Sequence, residues 1–227
     1  MLTLGAYYAD TPKSARALLT YSPKSWKQTE EKGGYICPSA RCPDETCPDR
    51  ALVWSLSDLK QEVEANEKGA YGRFARLRCR SCAREIGGDH LVLTREHMVR
   101  QPPDLLFTTT EMLNRRLSRS SEHALFGIGA AQPPRFMLLD EIHTYEGLPG
   151  AQVAYLLRRW RHARGRQQQN LSIVGLSATL TQAEVFFSGL TGVPPYYVGY
   201  ITPRAEDMTE EGVEYNVLDC CDLKGIG

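Results

Sequence analysis

Asp140 and Glu141 are adjacent carboxylates that end the apolar run Phe136-Met137-Leu138-Leu139, and His143 follows shortly after. An uninterrupted apolar run predicts a strand buried on both faces, the kind found in parallel sheets. Such sheets place their chemistry just past the carboxyl ends of their strands, where these two acids stand. One carboxylate there can hold Mg²⁺ through its water shell, and its neighbour can orient or deprotonate an attacking water. A solvated acidic turn is the alternative that residue type alone leaves open. A second apolar run, Leu171 to Leu176, ends in Ser177-Ala178-Thr179. Between the runs, residues 151–163 carry Val153, Leu156, Leu157 and Trp160 at helical spacing. Strand, helix and strand with short connections make a βαβ unit, which forces the strands parallel. Asp140-Glu141 and Ser177–Thr179 then leave the sheet at one edge.

The cysteines carry a second chemistry. Cys37, Cys42 and Cys47 are followed much later by Cys79 and Cys82, the last two forming a C-x-x-C knuckle. Two cysteine pairs around an intervening segment match a tetrahedral structural zinc site of the ribbon type. Cys42, Cys47, Cys79 and Cys82 are the chosen ligands for Zn²⁺, with Cys37 as the substitute; free structural thiols are the alternative. Zinc binding would supply folding free energy that a small insertion cannot gather from apolar burial. Residues 57–68 between the knuckles read as a charged helix.

Other segments frame these sites. Leu2–Tyr8 and Leu91–Leu93 read as strands, and Ser14–Tyr21 as a helix. After Pro102-Pro103, the strand Asp104–Phe107 runs into Thr108, Thr109 and Thr110 at a helix start. Hydroxyls and free N–H groups there suit a phosphate backbone, with Arg115 on the same helix; an ordinary helix cap is the alternative reading. Arg158, Arg159, Arg161, Arg164 and Arg166 form a basic stripe that either holds nucleic acid or keeps a helix soluble, the latter being favoured. Residues 183–190 read as a helix and 196–201 as a closing strand. His90, His97, His123 and His162 read as surface residues.

DEIH followed by SAT after a strand-helix-strand resembles motifs II and III of the superfamily 2 DExH-box helicases. The stretches LLDEIHTYEGLPGAQVAYLLRRW and LSATL are similar to the large bacterial helicases of phage-defence systems such as DISARM and Druantia. YYADTPKSA resembles the stretch after motif Ia, and PDLLFTTTEML resembles a backbone-contacting stretch in which Thr110 here replaces a proline. The resemblance implies an ATP-hydrolysing helicase in which Asp140 holds Mg²⁺ and Glu141 positions the attacking water. His143 would sense the γ-phosphate, and Ser177 and Thr179 would bond back to motif II.

The implied fold is α/β, an incomplete RecA-like parallel sheet with helices on both faces. Residues 1–34 would begin that domain, 35–88 form the zinc-ribbon-like insertion, 89–203 the core, and 204–227 a linker or tail. No Gly-x-x-x-x-Gly-Lys-Ser/Thr occurs in the 227 residues, so no phosphate-cradling loop is assigned, and Lys32-Gly33-Gly34 and Lys224-Gly225 lack its spacing. The remainder of the helicase or a partner subunit would supply that loop, and the chain alone is expected to be inactive. DNA is expected ahead of RNA as the nucleic-acid partner. A non-catalytic zinc-containing nucleic-acid-binding or scaffold fragment is the other class.

Composition bounds these readings. A chain with 42% hydrophobic and 24% charged residues is of ordinary globular type. Its formal charge of zero means that only local clustering can speak for a nucleic-acid partner. No run approaches the roughly 18 apolar residues of a membrane span, and the first residues lack a signal-peptide pattern. A cytoplasmic location is expected, where cysteines serve as metal ligands or thiols.

Overall fold

The computed structural model describes residues 2–165, 170–177, 180 and 182–201. Strand β1 (Leu4–Tyr7) lies between β6 (Leu91–Val92) and β7 (Leu105–Thr108), and all three run parallel. Asp104 fixes the register of β1 on β7, because its carboxylate accepts from both the backbone N–H and the hydroxyl of Thr3 at 2.8 Å. A second parallel pair joins β8 (Phe136–Leu139) to β9 (Ser172–Gly175), with Leu139 opposite Gly175. The long helix α5 (Gly147–Arg164) makes the crossover between them, as the apolar spacing predicts. Three short helices begin on hydroxyl caps: Ser14 for α1 (Ala15–Thr20), Thr94 for α3 (Arg95–Arg100) and Thr109 for α4 (Thr110–Arg116). Each cap oxygen accepts one of the amides that a helix start leaves without an internal partner.

The helical side of these strands carries two apolar clusters. Tyr7, Met98, Met112, Leu113, Leu156 and Trp160 form one, Leu139, Ile142, Val153 and Leu157 form the other under β8 and β9, and Met137 packs against both. Leu157 is almost fully buried, and that burial contributes about 2 kcal/mol. The arginines of α5 are tied to carbonyls and not spread as a free basic stripe. Arg158 donates to the carbonyl of Gly189 at 2.9 Å and Arg161 to that of Thr191 at 2.8 Å. They satisfy the carboxyl end of α6 (Ala183–Thr191), where cations also complement the helix dipole. Arg164 donates to Pro134 and Arg159 to Asn114; Arg166 lies outside the described residues.

The opposite side differs from the expectation of double burial. Met137 and Leu139 pack inward, but Phe136 and Leu138 are 62% and 63% exposed. Leu105, Phe107, Val174 and Leu176 are exposed too. An apolar run therefore records a strand able to be covered twice, and among the described residues only one cover is present. The expected closing strand at 196–201 is also corrected. Pro195–Tyr197 forms a 3₁₀ turn and no described strand follows, because Pro194-Pro195 sets a turn and removes ladder donors.

Between α1 and β6 the chain builds an antiparallel sheet of β2 (Gly34–Arg41), β3 (Ala51–Ser55), β4 (Leu77–Cys79) and β5 (Glu85–Ile86), in that order. Helix α2 (Leu56–Glu67) follows β3 directly, capped by Ser55. Leu52, Trp54, Leu59 and Leu77 form its core, which is continuous with Ala15 and Leu18 of α1 and with Leu93. Glu62 is a carboxylate only 2% exposed, and it accepts the amides of Gly72 and Phe74 at 2.7 Å each. The loop thus held presses on α3: Tyr71 stacks on His97, and a Cβ at Gly72 would strike that imidazole. His97 is consequently buried, at 4% exposure, which corrects its reading as a surface residue. Replacing Glu62 with Ala takes the acceptor from two part-buried amides, so thermal unfolding should report a loss of about 1 kcal/mol or more.

Candidate functional site

The carboxyl ends of β8 and β9 stay paired beyond the strands themselves. Leu176 donates its amide to Leu139 at 2.8 Å, and Ile142 donates to Leu176 at 3.0 Å. This close approach depends on Gly175. A Cβ there would lie 2.7 Å from Ile142 and 2.9 Å from Phe187 of α6. The sequence reading passed over this glycine, although an isolated glycine in an apolar strand signals such an approach.

Asp140 and Glu141 are exposed at that edge. Asp140 Oδ1 accepts the amide of Glu141 at 3.0 Å. Glu141 itself sits in the left-handed region, at φ 48° and ψ 47°, which costs a side-chain-bearing residue about 1–2 kcal/mol. The turn is held by Thr144, whose hydroxyl donates to the Glu141 carbonyl at 2.8 Å; this residue too was missed. The reversal brings Glu141 Oε2 to 3.2 Å from His143 Nδ1, and Ser177 Oγ lies 3.2 Å from the same nitrogen. His143 therefore joins the acidic turn on β8 to the serine on β9. The expected approach of Ser177 to the acids runs through this imidazole. Thr179 lies outside the described residues. A single ring nitrogen serves both neighbours, so the three groups form a junction and not a proton relay through two nitrogens.

At the start of α4 the threonine hydroxyls are engaged within the fold. Thr108 donates to the Tyr7 carbonyl at 2.9 Å, and Thr109 caps the helix at Met112. Arg115 pairs with Glu111 at 2.6 Å on the exposed face, while Thr110 opens the helix. Beneath them Tyr7 donates its hydroxyl to Glu122, which also pairs with Arg116 at 3.1 Å. Burial, with the Glu122 carboxylate beside it, pushes the Tyr7 phenol well above its ordinary range.

The cysteines form the other cluster. The sulfurs of Cys42, Cys47, Cys79 and Cys82 all lie within 4.8 Å of one another. Cys42 and Cys47 stand 3.8 Å apart, Cys42 and Cys82 3.7 Å, and Cys47 and Cys79 4.0 Å. Four thiolates about 2.3 Å from a tetrahedral Zn²⁺ stand about 3.8 Å apart, so the donor set and its spacing fit zinc. Cys37 is not part of the group; it is buried beside Ser39, 3.5 Å away. The amide N–H groups of Cys82 and Ser81 lower the Cys79 thiol to about 7, whereas burial raises Cys42 and Cys47. A cation at the centre is what would let all four ionise together. The knuckle closes on Ala83, held at φ 56°.

Two outcomes test these sites. Protein prepared without chelator should hold one zinc by elemental analysis, and Cys79→Ser should lose it and unfold more readily; a folded, metal-free preparation would refute the assignment. Glu141→Gly should raise stability by about 1 kcal/mol in chemical denaturation, since glycine meets no penalty at positive φ. Unchanged or lower stability would mean that the left-handed turn is not strained.

With the geometry in hand, comparison with known proteins gives the lineage. The DEAD/DEAH box helicase family matches residues 48–186, more than half of the chain. The uncharacterized ATP-dependent helicase MJ1574 of Methanocaldococcus jannaschii is 29% identical over 101 residues, covering 44% of this chain and 14% of that protein. Druantia protein DruE of Escherichia coli strain UMEA 4076-1 is 33% identical over 116 residues, covering 47% of this chain and 6% of that protein. The matched regions are therefore small parts of the relatives' lengths. No solved structure matches. The paired β8 and β9 ends, with DEIH on one and the serine on the other, are thus part of a chain that belongs to the DEAD/DEAH box helicase family.

Proposed function

We propose that this chain carries the metal-and-water side of the ATP site of a nucleic-acid helicase, and that its zinc-ribbon-like insertion is structural. The observation that carries the reading is the junction of Glu141, His143 and Ser177 across the ends of β8 and β9. Asp140 would hold Mg²⁺ through its water shell, and Mg²⁺ would neutralise charge on the β- and γ-phosphates. Glu141 orients the attacking water and draws its proton. His143 stands where it couples the acid's position to Ser177, with Thr179 beside it in sequence. A change at the acidic turn then moves the end of β9 and, through Phe187 on Gly175, helix α6. The phosphate-cradling loop comes from the remainder of the helicase or a partner subunit. DNA bound near Thr108, Thr109, Thr110 and Arg115 is the expected track, through backbone amides and the Thr110 hydroxyl more than through the engaged side chains. The likeness to Druantia protein DruE supports a place among phage-defence helicases.

The alternative, a binding module that grips nucleic acid with its zinc insertion, is disfavoured by charge pairing. Arg78 pairs with Glu85 at 3.0 Å, Arg80 with Asp49 at 3.3 Å and Arg84 with Asp44 at 3.9 Å. Cations already compensated in this way offer little net attraction to phosphates. No described helix is long and apolar enough to cross a membrane.

The test is hydrolysis. The chain alone should turn over ATP at background rate, with or without DNA, for want of a phosphate loop. Turnover by the chain alone that Glu141→Gln abolishes would overturn the division of labour.

A further inference from the structure

Three of the four clustered cysteines are buried, and the fourth, Cys82, is exposed. Its sulfur stands 3.7 Å from that of Cys42, a residue with no exposed surface. A solvent-borne reagent therefore meets the cluster at one sulfur, and a resolving sulfur already lies in contact behind it. We infer that Cys82 is an oxidation site through which peroxide converts the Cys42–Cys82 pair to a disulfide and releases the metal. This rests on the zinc reading of the cluster and adds its regulation.

The chemistry closes on the residues present and one named oxidant. The Cys82 sulfur attacks an oxygen of hydrogen peroxide, the O–O bond breaks, and hydroxide leaves a sulfenic acid behind. The Cys42 thiolate attacks the Cys82 sulfur, the S–O bond breaks, and a second hydroxide leaves. Two thiolates give up two electrons, and the peroxide becomes two waters with protons from solvent. Cys47 and Cys79 are then the two ligands left, half of a tetrahedral set. The effect does not stay local, because Cys42, Cys47 and Cys79 share one core with Leu52, Trp54 and Leu77, and that core includes Ala15 and Leu18 of α1. Loss of the metal loosens α1, which follows the carboxyl end of β1.

The experiment uses the full chain, its zinc measured first so that the metal assignment is judged separately. Stoichiometric hydrogen peroxide should release one zinc for each disulfide formed, seen with a chromogenic chelator. Non-reducing peptide mass mapping should find Cys42 joined to Cys82, and hydrogen exchange should rise over residues 15–20. Dithiothreitol with added zinc should restore both. Cys37→Ser, outside the cluster, should respond like the unsubstituted chain. Zinc-loaded protein that keeps its metal and thiols under peroxide overturns the inference and leaves the metal site standing. A first disulfide that excludes Cys82 also overturns it. Protein without zinc refutes the metal reading, and the same disulfide map still decides the fate of Cys82.

Discussion

The parallel pairing of β8 with β9 is the constraint from which the site follows. Parallel neighbours need a crossover, and α5 supplies it by burying Val153, Leu156, Leu157 and Trp160 against the strands. Had the strands run antiparallel, DEIH and the serine would emerge at opposite ends. Because they run parallel in the register Leu139 on Gly175, both emerge together. Backbone bonds between Leu139, Leu176 and Ile142 then continue the ladder into the turn. The side-chain junction at His143 is a consequence of that backbone geometry.

That junction is held under tension. Glu141 occupies a backbone conformation that a side-chain-bearing residue avoids, and it stays there because Thr144 bonds back to its carbonyl and the next amide, that of Ile142, donates to Leu176. Strain at a chemically charged position is retained when the surroundings over-determine it. The zinc-type knuckle shows the same economy at Ala83, where a left-handed residue turns Cys82 back toward its partners. In both places the chain spends local conformational energy on aiming one side chain.

Much of this was legible in the residues. Long apolar runs with short connectors determine the βαβ unit, and four cysteines in two groups announce a cluster. What stayed hidden depends on tertiary neighbours. Spacing chose Cys42 and kept Cys37 as a substitute, and only the fold shows that the sulfurs of Cys42, Cys47, Cys79 and Cys82 converge. His97 sits in a polar stretch, and its burial comes from a loop some two dozen residues away that Glu62 pins against it. The arginines of α5 looked like a surface stripe because the carbonyls they satisfy belong to α6 and to Pro134. Tyr196–Ile201 has strand-like composition, but Pro194-Pro195 sets its backbone first.

Phe136, Leu138, Val174 and Leu176 bear on how the polypeptide behaves as a material. They form an apolar wall on β8 and β9, and β9 pairs only with β8 among the described residues. An open strand edge beside an apolar face is a template for other chains. With a formal charge of zero, long-range repulsion does nothing to keep copies apart. Concentrated solutions of the isolated chain will turn cloudy near neutral pH, and a charged fusion tag or a mild detergent is what will keep them clear.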